Sequence, residues 1–286
     1  MNAAYYKNLG DQYAAANKLE DALRAYERAL ELDANDPDLY FARAEVYRRL
    51  GRLDPSLEDY NQGIELSPLR PDGFIGRGNV YLAWRYYDRA IQEFGRAIAL
   101  LPNGADGYYY RGLAYLQLQK FQFALTDLNR ALQLKPDYLE AQVQRGLTYH
   151  AIGDFQNALR DFTTVLALDA RYALAHYYLA QTYKKLGRNE LAVGSLVTFQ
   201  SLVQSPTWQQ KARQDLEELR KHAGTPRSTQ PLRTVQLNPA DRAEVLRLLR
   251  MGDKVAALKR VAEASGAGLR ASKEYIDELT RTELRS

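Results

Sequence analysis

Arg43, Arg77, Arg111 and Arg145 stand 34 residues apart, and 16 residues after each comes a carboxylate: Asp59, Glu93, Asp127 and Asp161. A guanidinium and a carboxylate held together make a forked, charge-assisted hydrogen bond. Such a pair can orient a reaction or fix packing. Repetition decides between the two, since a device that recurs four times at one step belongs to the architecture. Where the step reaches its ends both partners vanish together, leaving Leu9 with Ala25 and Leu179 with Ser195. Joint exchange is what direct contact requires, because a charge kept from water needs its partner. The eight residues are read as structural ion pairs.

Other chemistry finds no residue set. His150, His176 and His222 have no ligand spacing between them, and cysteine is absent, so no metal, disulfide or thiol chemistry is expected. No glycine-rich phosphate loop follows a strand, and no Ser–His–Asp or paired-carboxylate arrangement stands out. A protein without catalysis or cofactor is expected.

The elements that carry the arginines follow from the same step. Tyr13, Tyr47, Tyr81, Tyr115, Tyr149 and Tyr183 keep it, as do Leu32, Leu66, Leu100, Leu134, Leu168 and Leu202. Six repeats result, at 3–36, 37–70, 71–104, 105–138, 139–172 and 173–206, with Ala3 as position 1. Position 8 is small throughout (Gly10, Ala44, Gly78, Gly112, Gly146, Ala180), and so is position 20 (Ala22, Ser56, Ala90, Ala124, Ala158, Ala192). Apolar residues recur at three and four within each half, the period of an amphipathic helix. Small residues on facing helices allow close approach. Gly51, Gly153 and Gly187 mark turns between helices, and Pro68, Pro102 and Pro136 stop the second helix. An all-α array of helical hairpins is expected. Pro206–His222, with Trp208, Ala212, Leu216 and Leu219 on one stripe, reads as a helix capping the array over 3–222.

The pattern resembles the tetratricopeptide repeat: a large residue at position 4 (Tyr6, Tyr40, Phe74, Tyr108), the small residue at 8, Tyr at 11, the small residue at 20, an aromatic at 24 (Tyr26, Tyr60, Phe94, Phe162) and a small residue at 27 (Ala29, Gly63, Ala97, Ala131). The sixth repeat drifts, with His176, Leu196 and Phe199 at positions 4, 24 and 27, and the arginines replace the family's usual leucine at position 7. The resemblance implies a right-handed superhelical solenoid whose first helices line a concave groove. It implies a scaffold that binds a protein or peptide there, through Phe41, Ile75, Tyr109, Tyr110, Leu113, Val143, Tyr177 and Tyr178. The family's basic clamp for a C-terminal carboxylate is missing; Ala42, Asp72 and Gly76 hold its places in one register.

Charge separates the array from the remaining C-terminal residues. Residues 1–221 hold 27 basic and 27 acidic side chains, whereas 222–286 hold 12 and 8. Nucleic-acid binding by the repeats is not expected. No secretory pattern opens the sequence and no run of about 18 apolar residues occurs, so a cytoplasmic chain without membrane contact is expected. Residues 223–237 read as a linker and 238–286 as a module of three short helices. The stretch 254–279 resembles the helical hairpin of the bacterial ribosomal stalk protein's C-terminal domain, which implies an alternative, a translation-linked role through Lys254, Val255, Leu258, Lys259 and Lys273.

Overall fold

The computed structural model describes residues 2–223, 237–251, 253–265, 272, 275–277 and 279–280. Twelve helices pair as six hairpins: α1 (Ala3–Ala15) with α2 (Leu19–Leu32), α3 (Pro37–Arg49) with α4 (Leu53–Leu66), α5 (Pro71–Ala83) with α6 (Tyr87–Leu100), α7 (Ala105–Gln117) with α8 (Phe121–Leu134), α9 (Leu139–Ala151) with α10 (Phe155–Leu168), and α11 (Ala173–Lys185) with α12 (Asn189–Leu202). α13 (Pro206–Ala223) follows, then α14 (Pro239–Arg250) and α15 (Lys254–Ser265). Among the described residues there is no strand. The chain divides into two compact parts, Met1–Leu219 and Arg220–Ser286.

Local chemistry sets the helix ends. The Asn2 side chain accepts from the Tyr5 amide, and Asp36 accepts from Asp38 ahead of Pro37 at the first helical position. Each hairpin turn closes with the amide of position 16 bonded to the carbonyl of position 11. The distances lie between 2.8 and 2.9 Å in all six, from Lys18 to Tyr13 through Arg188 to Tyr183. This closure needs position 15 in the left-handed region. Gly51, Gly153 and Gly187 sit there at φ +74°, +85° and +70°. Asn17, Arg85 and Gln119 occupy the same position in the other turns at +57°, +63° and +55°, which their residue types did not announce. Nothing lies within 4 Å of a Cβ added to Gly153. Gly153→Ala is therefore expected to cost about 1 kcal/mol from backbone strain alone, visible as a lowered denaturation midpoint.

Position 8 works differently from a simple meeting of two small residues. It seats the position-24 ring of its own repeat. A Cβ on Gly10 would lie 2.5 Å from Tyr26, one on Gly78 2.5 Å from Phe94, and one on Gly146 2.8 Å from Phe162. Position 6 of the next repeat covers the other side of that ring. Tyr110 stacks on Phe94 at 5.7 Å and Tyr178 on Phe162 at 5.8 Å. Where position 24 is Tyr60, position 6 is Gly76, whose Cβ would come to 2.1 Å from the ring. The tyrosines need that space because their hydroxyls reach position 9: Tyr26 donates to Asp11 at 2.6 Å and Tyr60 to Glu45 at 3.4 Å. Ser56 fits the small position 20 by donating to the Ala44 carbonyl at 2.8 Å.

α13 lays Leu216 and Leu219 against Ala180, Ala192 and Leu196 of the sixth repeat, while Lys211, Arg213, Glu217 and Glu218 face water. Asp215 is buried on it, accepting from Gln181 at 2.9 Å and Lys211 at 3.0 Å. The second part has its own core of Val245, Leu249, Ala257, Val261, Ile276 and Leu279. Most of the expected linker, 224–236, lies outside the described residues. So does Leu269 of the expected third helix, of which 272, 275–277 and 279–280 are helical.

Candidate functional site: the inner face of the array

All four arginine–carboxylate pairs span the two helices of one hairpin. Arg43 donates through Nε and Nη2 to the two oxygens of Asp59 at 2.7 and 2.8 Å, and Arg111 does the same to Asp127. Arg145 meets Asp161 at 2.8 and 2.6 Å, and Arg77 meets one oxygen of Glu93 at 2.9 and 2.7 Å. The carboxylates are buried and the arginines are partly covered. Arg77 and Arg145 also reach back one repeat, to Asn61 at 2.9 Å and Asn129 at 2.7 Å. These contacts join helices and then repeats. The arginine forks and the carboxylates are engaged on one another across each hairpin.

First helices approach one another from repeat to repeat, α1 to α3, α3 to α5 and onward to α11, while second helices make no comparable approach. The first helices therefore line the inner side. Along it the first three repeats carry ion pairs beside the apolar Phe41 and Ile75. Lys7 bonds Asp38 at 2.9 Å, and Arg70 pairs with both Asp38 and Asp72. Hydrogen bonds from Lys7 and Arg70 hold the Asp38 carboxyl below its ordinary range. Arg48 meets Glu45 at 2.7 Å.

The fourth to sixth repeats are aromatic. Tyr109 meets Tyr110 edge-on at 5.1 Å, and Tyr177 meets Tyr178 likewise at 5.5 Å. Burial pushes the Tyr109 hydroxyl up to about 12, with the neighbouring phenols and Glu140 adding to it, and raises Tyr110 and Tyr177 as well. Those three phenols are therefore neutral at physiological pH. All four rings are half-exposed, an amphipathic placement with an apolar body on the core and a polar tip. Leu113 and Ile75 are also half-buried, Ile75 packing with Phe94 and Tyr110.

Two of the expected groove residues are taken up by packing. Val143 is buried at 4% exposure against Val165 and Ala175, so it belongs to the core and offers no partner surface. Phe41 inserts between α4 and α5 into space left by Gly63 and Gly73, with the Arg70 guanidinium 5.1 Å from its ring centre. Three aromatic residues support the face beyond those expected there: Tyr172, the buried Tyr138, and Trp208, which the sequence placed on the capping stripe. Tyr138 lies 4.8 Å from Tyr109, Trp208 lies 5.2 Å from Tyr177, and Tyr172 packs beside Tyr178. The signal for Tyr138 and Tyr172 was position 34, aromatic in two consecutive repeats.

In the second part, Lys254 and Val255 open α15 and Lys273 lies outside the described residues. Leu258 packs on the local core, and the Lys259 side chain is exposed, 3.9 Å from Glu263. Among the described residues no cluster of His, Asp or Glu could hold a metal ion. No described helix is long and apolar enough to cross a membrane.

Family models agree with this geometry. A model described as TPR repeat matches residues 10–51, 86–119 and 146–187, and models of the tetratricopeptide repeat match 37–68 and 105–138. None of these matches reaches the second part. Among curated proteins none matches this sequence. Among solved structures, YrrB, a TPR protein with an unusual peptide-binding site, is 26% identical; 66% of this chain and 98% of YrrB are covered, with TM-score 0.51. A thermophilic TPR protein of Thermus thermophilus is 24% identical, over 63% of this chain and 98% of its own, with TM-score 0.57. PilF of Pseudomonas aeruginosa, 17% identical over 74% and 97%, shares the fold with TM-score 0.64. With its hairpins, seated rings and matched repeats over more than half its length, the chain belongs to the tetratricopeptide-repeat family.

Proposed function

We propose that this protein is a non-enzymatic scaffold that holds a segment of another protein, extended or helical, on the inner face of its repeats. The observation that carries the reading is the run of half-exposed tyrosines, Tyr109 and Tyr110 on α7 and Tyr177 and Tyr178 on α11, each braced from behind by a ring. A rigid aromatic side chain with one wet face loses little freedom on binding and supplies large contact area. YrrB, similar over nearly its whole length and described by its peptide-binding site, supports the same reading. Ion pairs concentrated in the first three repeats and tyrosines in the fourth and sixth would give a bound segment a direction.

The test is capture of a partner by the full chain and by Tyr110→Ala with Tyr177→Ala. The double variant is expected to lose more than about 2 kcal/mol of binding, with unchanged helical circular dichroism. Full affinity in that variant, together with loss on removing 223–286, would move the function to the basic second part.

A further inference from the structure

Six copies of one hairpin turn provide five internal controls for each, and the third turn departs from the rest. Positions 15 to 19 read Arg85, Tyr86, Tyr87, Asp88 and Arg89, against Gly51, Arg52, Leu53, Asp54 and Pro55 in the second repeat and Gln119, Lys120, Phe121, Gln122 and Phe123 in the fourth. With Leu118 from the following repeat, these five residues line an open hollow of about 480 Å³. That is the size of sites that take small molecules or single side chains with their neighbours. It lies on the turns, away from the tyrosines of α7 and α11.

The charges of this hollow are unusual for the array. In the second repeat the turn arginines are engaged: Arg52 pairs with Glu20 at 2.6 Å, and Arg49 donates to the Ala14 carbonyl and the Asn17 side chain at 3.0 and 2.9 Å. Among the described residues neither Arg85 nor Arg89 pairs with a carboxylate. Arg89 lies over aromatic faces, 5.6 Å from the centre of Tyr86 and 5.7 Å from that of Tyr81. Asp88 is the one acid among the six lining residues. The lining therefore carries two guanidiniums against one carboxylate, beside two tyrosines. Arg85 moreover holds φ +63°, where three of the six turns use glycine. A long cation kept in a strained backbone position, with no carboxylate of its own, is placed to meet something from outside.

We propose that this hollow binds a phosphomonoester carried on an aromatic ring. A phosphomonoester has a charge of about −2 at neutral pH and accepts forked hydrogen bonds from guanidinium groups, matching Arg85 and Arg89. Tyr86, exposed at 55%, and Leu118 offer apolar surface for the ring. Such a group occurs on a phosphotyrosine side chain.

The experiment titrates phenyl phosphate into the full chain by calorimetry and by fluorescence. Trp84 is a built-in reporter, 6.1 Å from Tyr86, and a Trp208→Phe background isolates its signal. Saturable binding is expected, with inorganic phosphate and benzoate each weaker by about tenfold, one lacking the ring and the other the second charge. Arg85→Gly separates site from fold, because it relieves the left-handed strain while removing a cation. It is expected to bind at least about tenfold more weakly at equal or higher thermal stability. Arg89→Lys, which keeps charge but loses the planar fork, should also weaken binding. A phosphotyrosine peptide is expected to bind more tightly than phenyl phosphate, whereas adenosine monophosphate, whose phosphate sits on ribose, tighter than both would overturn the aryl phosphate as the ligand. Equal responses to phenyl phosphate, phosphate and benzoate, absence of saturation, or full affinity in Arg85→Gly would overturn the assignment.

Discussion

Arg111→Leu is expected to destabilise the array by about 3–5 kcal/mol, the cost of leaving a buried charge without its partner. Asp127 is 3% exposed, and both its oxygens accept from Arg111. Leucine would leave that carboxylate between two helices with neither water nor donor. Adding Asp127→Ala reproduces what the first and sixth repeats already use, Leu9 with Ala25 and Leu179 with Ser195. The double variant should therefore be more stable than Arg111→Leu, and a double-mutant cycle in urea should give a large coupling energy. Simple additivity would mean that the two residues act independently. Arg145→Leu should cost less, because Gln142 still donates to Asp161 at 2.6 Å.

Phe94→Ala is expected to lose about 3–5 kcal/mol of stability and to weaken partner capture as well. The ring has no exposed surface, sits on Gly78, and carries Tyr110 stacked on its other side. Removing it opens a cavity between repeats three and four and takes away the brace of an inner-face tyrosine. Phe123→Ala is the matching control, since that ring on α8 is 60% exposed. Urea midpoints read the first effect, and capture at a temperature where both variants remain folded reads the second. Equal capture by Phe94→Ala and Phe123→Ala would mean that Tyr110 holds its place without the ring beneath it.

The hairpins were legible because burial at a fixed register leaves a periodic trace. Helix ends fell within a residue or two of the prolines and glycines that mark them. Asn17, Arg85 and Gln119 were not legible as left-handed turn residues by type. Only their distance of 34 or 68 residues from Gly51, Gly153 and Gly187 tells. The inner face was harder. Position 5 carries Phe41, Ile75, Tyr109, Val143 and Tyr177, yet these range from buried to half-exposed. What a side chain there meets depends on the size of residues in the next repeat, such as Gly73 beside Phe41. A single repeat's sequence does not hold that information, and side chains that reach across junctions escape a reading made one repeat at a time. Tyr138 escaped for the same reason, and Trp208 was read only as part of the capping stripe, not as a neighbour of Tyr177.

The matched junctions give the order of the repeats a physical meaning. Phe94 meets Tyr110 and Phe162 meets Tyr178 alike, whereas Tyr60 meets Gly76, so the boundary between the second and third repeats is cut to a different neighbour. A change in the number of repeats tests those boundaries directly. Deleting the third segment would join the second repeat to the fourth and drive Tyr110 into the ring of Tyr60, where even a methyl group would come to 2.1 Å. Inserting a second copy of the third would set Gly76 against Phe94 and leave a void. Either product retains every repeat-family residue and fails at one seam. Length in this array is thus proofread by side-chain volume, and two molecules exchanging repeats out of step meet the same barrier.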